Sequence, residues 1–357
     1  MRRSQRPTQQ DIARAAGVST AVVSLVINGR ADGKVKISKR TQERVWAAIR
    51  EHGYMPNLAA RQLAGGRTNI IGVFTYEPIF PMEPNNFYQP FLVGIEEQAA
   101  VLDYNLLLFT RLSPDGGRHI YHDGVNQLQT TDGAILLGTN EDRAELARLY
   151  QDGFPFVFVG RRELDAGPIA YTAAGYADAT EHLIRNLLEQ GHRRILYVGQ
   201  PLINESAQDR EAGFRRAMAG AGIDDLDELI IRCQIHDLGG GFLRGWIERG
   251  VTAFAMEHMA AALRILEVSS EEGYGIPEAF SLVALGKADD PTVDHRGIDT
   301  FFIPHREMGA QALVLLCRIL EDPDADVPRQ ITIPCTPAAG RTTGPPPGSR
   351  VARKEVR

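Results

Sequence analysis

The sequence predicts a small all-α head, a short hinge helix and an α/β body of two lobes, built on parallel sheets with helices on both faces. Three observations carry this. First, charge is split: residues 1–67 hold 13 Lys/Arg against four Asp/Glu, a net of +9, while the other 290 residues hold 26 against 41, a net of −15. Second, the head repeats apolar residues at helical spacing, which a solvated basic tail would not need. Third, beyond residue 68 short apolar runs alternate with helical stretches, the pattern of parallel strands covered on both faces.

In the head, Thr8 caps a first helix, with Asp11 as its capping-box acid. Ile12, Ala15 and Ala16 are expected to share its inner face, Gly17 to end it, and Val18 to fill the turn. Ser19 caps a second helix, Thr20–Asn28, with Val23, Val26 and Ile27 inward and Gly29 closing it. A third helix starts after Ser38, turns Val45, Ala48 and Ile49 inward, and stops at Gly53. Three short helices with a Gly-containing turn between the first two make a helix-turn-helix. In that motif the second helix enters the major groove of DNA. Its outward positions here are Thr20, Ala21, Ser24, Leu25 and Asn28. Thr20, Ala21 and Leu25 are the leading base contacts, and none is an arginine, so direct readout should be light on hydrogen bonds. Thr8, Ser19, Arg30, Lys36 and Lys39 are assigned to phosphates, which position a protein without reading sequence.

Pro56 breaks the third helix and Asn57 caps a short hinge helix over residues 58–64, ended by Gly65 and Gly66. A helix of that length is marginal alone and needs a partner to order it. Asn57, Ala60, Arg61 and Leu63 are its candidate minor-groove residues. Leu63 is an apolar wedge of the kind that unstacks base steps.

Composition narrows the alternatives. Hydrophobic content of 43% and charged content of 24% place the chain among soluble globular proteins. No apolar run approaches the roughly 18 residues of a membrane span, and no apolar signal core follows the Met-Arg-Arg start, so a cytoplasmic location and no membrane partner are expected. Cys233, Cys317 and Cys335 are odd in number and far apart, which argues against disulfides and zinc. There is no P-loop, nucleophile elbow or His-Glu-x-x-His helix, so no enzyme, no cofactor and no metal are expected. Gly239-Gly240-Gly241 reads as a loop, and His119, His122 and Asp123 as a polar stretch.

Body strands are expected over residues 70–76, 105–110, 133–138, 155–160, 194–199, 252–256, 280–286, 300–303 and 330–333. Helices are expected over 87–103, 144–151, 176–190, 212–221, 258–267 and 306–320. That many units exceed one comfortable sheet, hence two lobes. Ligands of open α/β sheets sit outside the carboxyl ends of the strands. Between two lobes that place is the cleft, where Tyr76, Tyr88, Arg111, Arg161, Arg210 and Glu257 are candidate small-molecule contacts.

The runs Thr8–Ser19, Val22–Gly29, Thr41–Val45, Gly53–Asn57, Ala60–Leu63 and Ile71–Val73, with Gly94–Glu96, Gly191–Ile195, Arg210–Phe214 and Met308-Gly309 in the body, resemble the lactose-repressor (LacI/GalR) family of bacterial transcription regulators. The resemblance covers roughly residues 8–341. It implies a periplasmic-binding-protein-like body, a homodimer or tetramer on near-palindromic operator DNA, Leu63 in the minor groove, and control by a small effector. It lends weight to Arg161 and Arg210 as effector contacts. The expected division is 1–55 head, 56–67 hinge, 68–341 body and 342–357 disordered tail. Lobe 1 is placed at about 68–162 and 299–325, lobe 2 at about 163–298 and 326–341. Chain crossings are placed near residues 161–166, 296–299 and 324–329. A solute-binding protein of a transport system is the rival reading, opposed by the helical head. Sugar-binding members keep acids or amides where this chain has Gly160, Met256-Glu257 and Gly286-Lys287. Those departures point away from a simple free sugar, because a site that reads hydroxyls loses much of its affinity with each missing partner.

Overall fold

A computed structural model describes residues 7–27, 36–54, 67–79, 87–114, 116–139, 142–202, 204–288, 296–323 and 328–348, in two compact units that divide after Ile70. Asn28, Arg30, the hinge residues Asn57, Ala60, Arg61 and Leu63, residues 324–327 of the crossing expected near 324–329, and the end of the tail lie outside the described residues.

The first unit holds α1 (Gln9–Ala16), α2 (Thr20–Ile27) and α3 (Lys39–His52). Thr8 and Asp11 form the reciprocal capping box, and Gly17 takes the left-handed cap. Ser38 caps α3 through the Thr41 amide at 3.2 Å, and Gly53 ends it. Ile12, Val23 and Val45 are fully buried at the centre of a small apolar cluster. The inner stripe of α1 differs from expectation: Ala13 is buried and Ala15 is exposed. The stripe therefore continues from Ile12 through Ala13 to Ala16, the i, i+1, i+4 edge of one helical face.

The second unit contains two parallel sheets. Lobe 1 has six strands: β1 (Ile70–Thr75), β2 (Asn105–Phe109), β5 (Gly133–Leu137), β6 (Phe156–Val159), β7 (Tyr171–Ala174) and β14 (Gln330–Ile333). Their order is β14-β7-β6-β5-β1-β2, with β2 at one edge. β5 and β6 are buried throughout, as strands covered on both faces must be. A two-residue-strand hairpin, β3 (Tyr121–His122) and β4 (Val125–Asn126), precedes β5. In lobe 1 the helix between β1 and β2 is α4 (Gln89–Val101), and that between β5 and β6 is α5 (Arg143–Gln151). α4 packs on α10 (His305–Glu321), which returns late in the chain. The two helices meet backbone to backbone: a Cβ at Gly94 would lie 1.9 Å from the Arg306 carbonyl oxygen, and one at Gly309 would lie 2.2 Å from that of Phe91.

Lobe 2 has β8 (Ile195–Gly199), β9 (Ile230–Arg232), β10 (Ala253–Met256) and β11 (Ser281–Ala284) in the order β11-β10-β8-β9. Around it lie α6 (Tyr176–Glu189), α7 (Glu205–Gly220), α8 (Gly240–Glu248) and α9 (Met259–Glu271). A third small sheet, β12 (Lys287–Ala288), β13 (Thr300–Ile303) and β15 (Thr336–Ala338), joins this lobe.

This topology corrects the expected lobe boundaries. β7 and β14 pair in parallel within the lobe 1 sheet, so lobe 1 runs to Ala174 and reclaims 330–333. The chain crosses at Gly175, at Pro304 and at Pro334, and the Gly175 amide donates to the Ile333 carbonyl at 2.8 Å. The error came from β7, whose Tyr-Thr-Ala-Ala run has too little bulk to read as a strand. Gly239–Gly241 also differs from expectation, since Gly239 is the N-cap of α8 rather than part of a loop. The tail was expected to begin too early: Thr342 is buried, donating to the Leu282 carbonyl at 2.6 Å, and His192 reaches the Gly344 carbonyl at 2.8 Å. Residues 342–344 are thus a seat of lobe 2.

Candidate functional site

On the head, Thr20 and Ala21 are exposed at the start of α2. Ser24 and Leu25 are half-buried, Leu25 resting part of its side chain on the head core. The turn between α1 and α2 fixes this face: Ser19 Oγ accepts the Val22 amide at 3.3 Å. Thr8 Oγ1 donates to Asp11 at 2.7 Å, and this bond, with the Thr8 amide, holds the Asp11 carboxyl below its ordinary range. Both hydroxyls assigned to phosphates therefore serve as caps. Lys36, Lys39, Arg40 and Arg44 are exposed cations just before and within the first turns of α3.

In the body, a narrow cavity of about 60 Å³ lies between the lobes. Its walls are the carboxyl ends of β5 and β6, at Leu137–Thr139 and Val159–Arg162, facing Asn204, Ser206 and Asp209 at the start of α7. Aromatic rings from Phe87, Tyr88, Phe91 and Tyr176 line the rest. A larger open groove of about 530 Å³ runs along α6 past Pro334 and Pro337. It shares no residue with the cleft and adjoins the ends of the two outer strands β7 and β14, whereas the cleft gathers the carboxyl ends of the central strands β5 and β6 against the start of α7, so the cleft is the candidate site.

The structure brings some of the expected residues to the cleft and not others. Arg161 lines it and pairs with Asp209 at 2.9 Å and with Glu163. Burial works against the Arg161 charge, but the Asp209 and Glu163 carboxylates outweigh it and raise its pKa. Tyr88 lines it too, with its hydroxyl donating to Glu77 at 2.5 Å; burial first, then that carboxylate, pushes the phenol far up. Arg210, 4% exposed, lies behind the wall: it donates to the Leu285 carbonyl at 2.6 Å and covers the Tyr176 ring at 3.9 Å. Glu257 is buried deeper, accepting from Tyr197 at 3.1 Å and pairing with His258 at 3.0 Å. Tyr76 packs edge-on against Phe74, and Arg111 meets His122 at 2.6 Å; neither lines the cavity.

Sequence reasoning missed the residues that close the cleft. Arg162 is 6% exposed and Glu205 3% exposed, and they face each other across the lobes at 3.5 Å. Arg143 reaches the same carboxylate at 2.7 Å. The signal was present in the doubled Arg161-Arg162 and in Asn204, which caps α7 through the Ala207 amide at 3.0 Å, but residues 205–211 carry too few apolar side chains to show a helix. Two departures from sugar-binding relatives also acquire a cause. Gly160 and Gly286 sit at φ 113° and 121°, where an acidic side chain would be strained. A Cβ at Gly160 would come within 3.2 Å of Arg162 Nη1. Beneath the aromatic wall, His305 is buried against Phe91 at 4.4 Å and Phe87 at 5.2 Å, and burial pushes its pKa down to about 3.

Similarity to known proteins follows the same division. Residues 8–57 match the bacterial regulatory proteins of the lacI family. Residues 78–240 match the periplasmic binding proteins and sugar binding domain of the LacI family, and 184–343 a periplasmic binding protein-like domain. The HTH-type transcriptional regulator CelR of Thermobifida fusca is 30% identical over 301 residues, covering 82% of this chain and 85% of that protein. Catabolite control protein A of Priestia megaterium is 26% identical over 326 residues, covering 89% and 94%. Among solved structures, a CelR–cellobiose complex superposes with a TM-score of 0.63 at 24% identity over 95% of this chain and 100% of that one. The lac repressor dimer bound to operator and the anti-inducer ONPF gives 0.66 at 23% identity, with the same coverage. A head with a capped helix-turn-helix, a two-lobed α/β body and a relative at this level of identity across most of both chains lead to one assignment: the chain belongs to the LacI family of bacterial regulatory proteins.

Proposed function

We propose that this chain is a sequence-specific DNA-binding transcriptional repressor that acts as a homodimer on a near-palindromic operator and is tuned by a small effector in the interlobe cleft. The observation that carries the reading is the head: a helix-turn-helix with an exposed N-terminal face of α2, at Thr20 and Ala21, and with the exposed cations Lys36, Lys39 and Arg40 on the same unit. Base edges are read by the N-terminal residues of such a helix, while the cations hold phosphates. Thr20 and Ala21 suit thymine methyls and single hydrogen bonds, so neighbouring shape and the hinge, with Asn57, Ala60, Arg61 and Leu63, would supply the rest of the specificity.

Self-association is supported by the free edge of lobe 1. β2 is an edge strand with Leu107 and Leu108 exposed, and Val101 and Leu112 beside it are 76% and 60% exposed. An apolar edge of this kind calls for a partner, and a second copy gives the two-fold symmetry that two half-sites require. Effector control is supported by the cleft at the strand ends. A structure of similar fold is a CelR–cellobiose complex, so cellobiose is the free sugar to set against the expectation that this cleft does not take one.

The test is binding of the purified chain to fragments of its own chromosome in dilute buffer, with footprinting of retained fragments. A protected near-palindrome, lost on removal of residues 1–66, supports the reading. Retention of no fragment over any other defeats it.

A further inference from the structure

The Glu205 carboxylate sits in surroundings built for an anion. It is the first residue of α7, a helix of 16 residues, and is 3% exposed. Oε1 accepts from Arg143 Nη2 at 2.7 Å and from the Glu163 amide at 3.4 Å. Oε2 is buried and makes no hydrogen bond, with Arg162 Nη1 at 3.5 Å. Burial works to raise the pKa of this carboxyl, but Arg162, its own backbone amide and Arg143 outweigh burial and lower it. The seat therefore combines two guanidiniums and an amide from lobe 1 with the positive end of a long helix from lobe 2.

A side chain tethered beside its seat competes at high effective concentration, so a ligand with the same single charge gains little by displacing it. A phosphate monoester brings a charge of about −1.5 to −2 and three acceptor oxygens. Arg143 stays half-exposed and Asp209 is partly solvated, so neither is stranded when the seat changes occupant. Arg162 also lines the cleft cavity together with the rings of Phe87 and Tyr176, which would take the uncharged part of such a ligand. Gly160 keeps the wall clear of a competing acid.

We propose that this seat is an anion site that the chain fills with its own Glu205 carboxylate, closing the lobes without a ligand, and that the effector is a phosphate monoester that displaces it. This rests on the cleft as effector site and narrows the ligand.

The test uses the full chain and inorganic phosphate. In the Glu205→Ala variant, millimolar phosphate should raise the unfolding temperature of the body by several degrees over chloride at equal ionic strength. The native chain should show no such shift, and adding Arg162→Ala should abolish it. A folded Glu205→Ala variant blind to phosphate overturns the proposal. Should that variant not fold, calorimetry of the native chain decides: glucose 6-phosphate binding where glucose does not supports the proposal, while equal binding or none overturns it. Sugar binding by the native chain with a phosphate-blind variant sinks the anion seat and leaves the effector cleft standing. A phosphate response with no ester altering DNA binding does the reverse.

Discussion

The cations of the head and the buried cations of the body live in opposite circumstances. Lys36, Lys39, Arg40 and Arg44 are exposed on a unit whose own core is small. Arg162 and Arg210 are buried in a unit that is acidic overall, and each is held by the chain's own oxygens. An exposed cation keeps its hydration until a polyanion releases the counterions, so its contribution is to binding and depends on salt. A buried cation has already exchanged water for fixed partners, so its contribution is to conformation. One residue type thus serves recognition at one end and closure at the other, and burial decides which.

The largest effect that sharpens this contrast comes from removing the head. Deleting residues 1–66 should cost at least ~10³-fold in affinity for a specific operator, the usual gap between specific and nonspecific binding. The remaining body should unfold at the same temperature as in the full chain, measured by calorimetry. A truncated chain that still selects one DNA fragment would break the comparison. Arg162→Ala comes next. It leaves Glu205 short of a buried partner, and loss of one member of a buried pair costs about 3–5 kcal/mol, readable in urea unfolding of the body. The same substitution at exposed Arg44 should stay within about 0.5 kcal/mol. Acidification is smaller and directional. The folded pKa of His305 is depressed to about 3 from 6.5, so the unfolded chain binds the extra proton between those values. Body stability should then fall as pH drops below about 6.5, at up to about 1.4 kcal/mol per pH unit from this group, and His305→Leu should flatten the profile. Smallest is Thr8→Ala, which removes one half of a capping box. It should cost the head about 1 kcal/mol and leave body unfolding unchanged.

The same contrast explains what the sequence disclosed. In the head, most boundaries are written in local chemistry: Thr8, Ser19 and Ser38 open the helices, and Gly17 and Gly53 close two of them. Most strands of the two large sheets were legible for a similar reason, since β5, β6 and β8 are unbroken apolar runs, whereas β9 and the short strands β3, β4, β12 and β15 were not expected. The start of α7 was not. In residues 205–211, Glu205 and Asp209 take their partners from the opposite lobe, and no periodicity within seven residues can report a partner at Arg143, Arg161 or Arg162. β7 escaped because its side chains are small, and with it went the position of the first crossing. Arg161 was found by position, while its neighbour Arg162, the more buried of the two, was overlooked.

The three crossings at Gly175, Pro304 and Pro334 bear on how the body is made. Lobe 1 lacks an edge strand and a covering helix until residues 305–333 have been synthesised, and lobe 2 lacks its last seat until Gly344 follows. Neither half can finish while the nascent chain is still short, and each must hold unfinished apolar surface through most of translation. Ribosome-stalled chains ending before residue 300 should therefore be open to protease in both lobes, and protection should arrive for the two together.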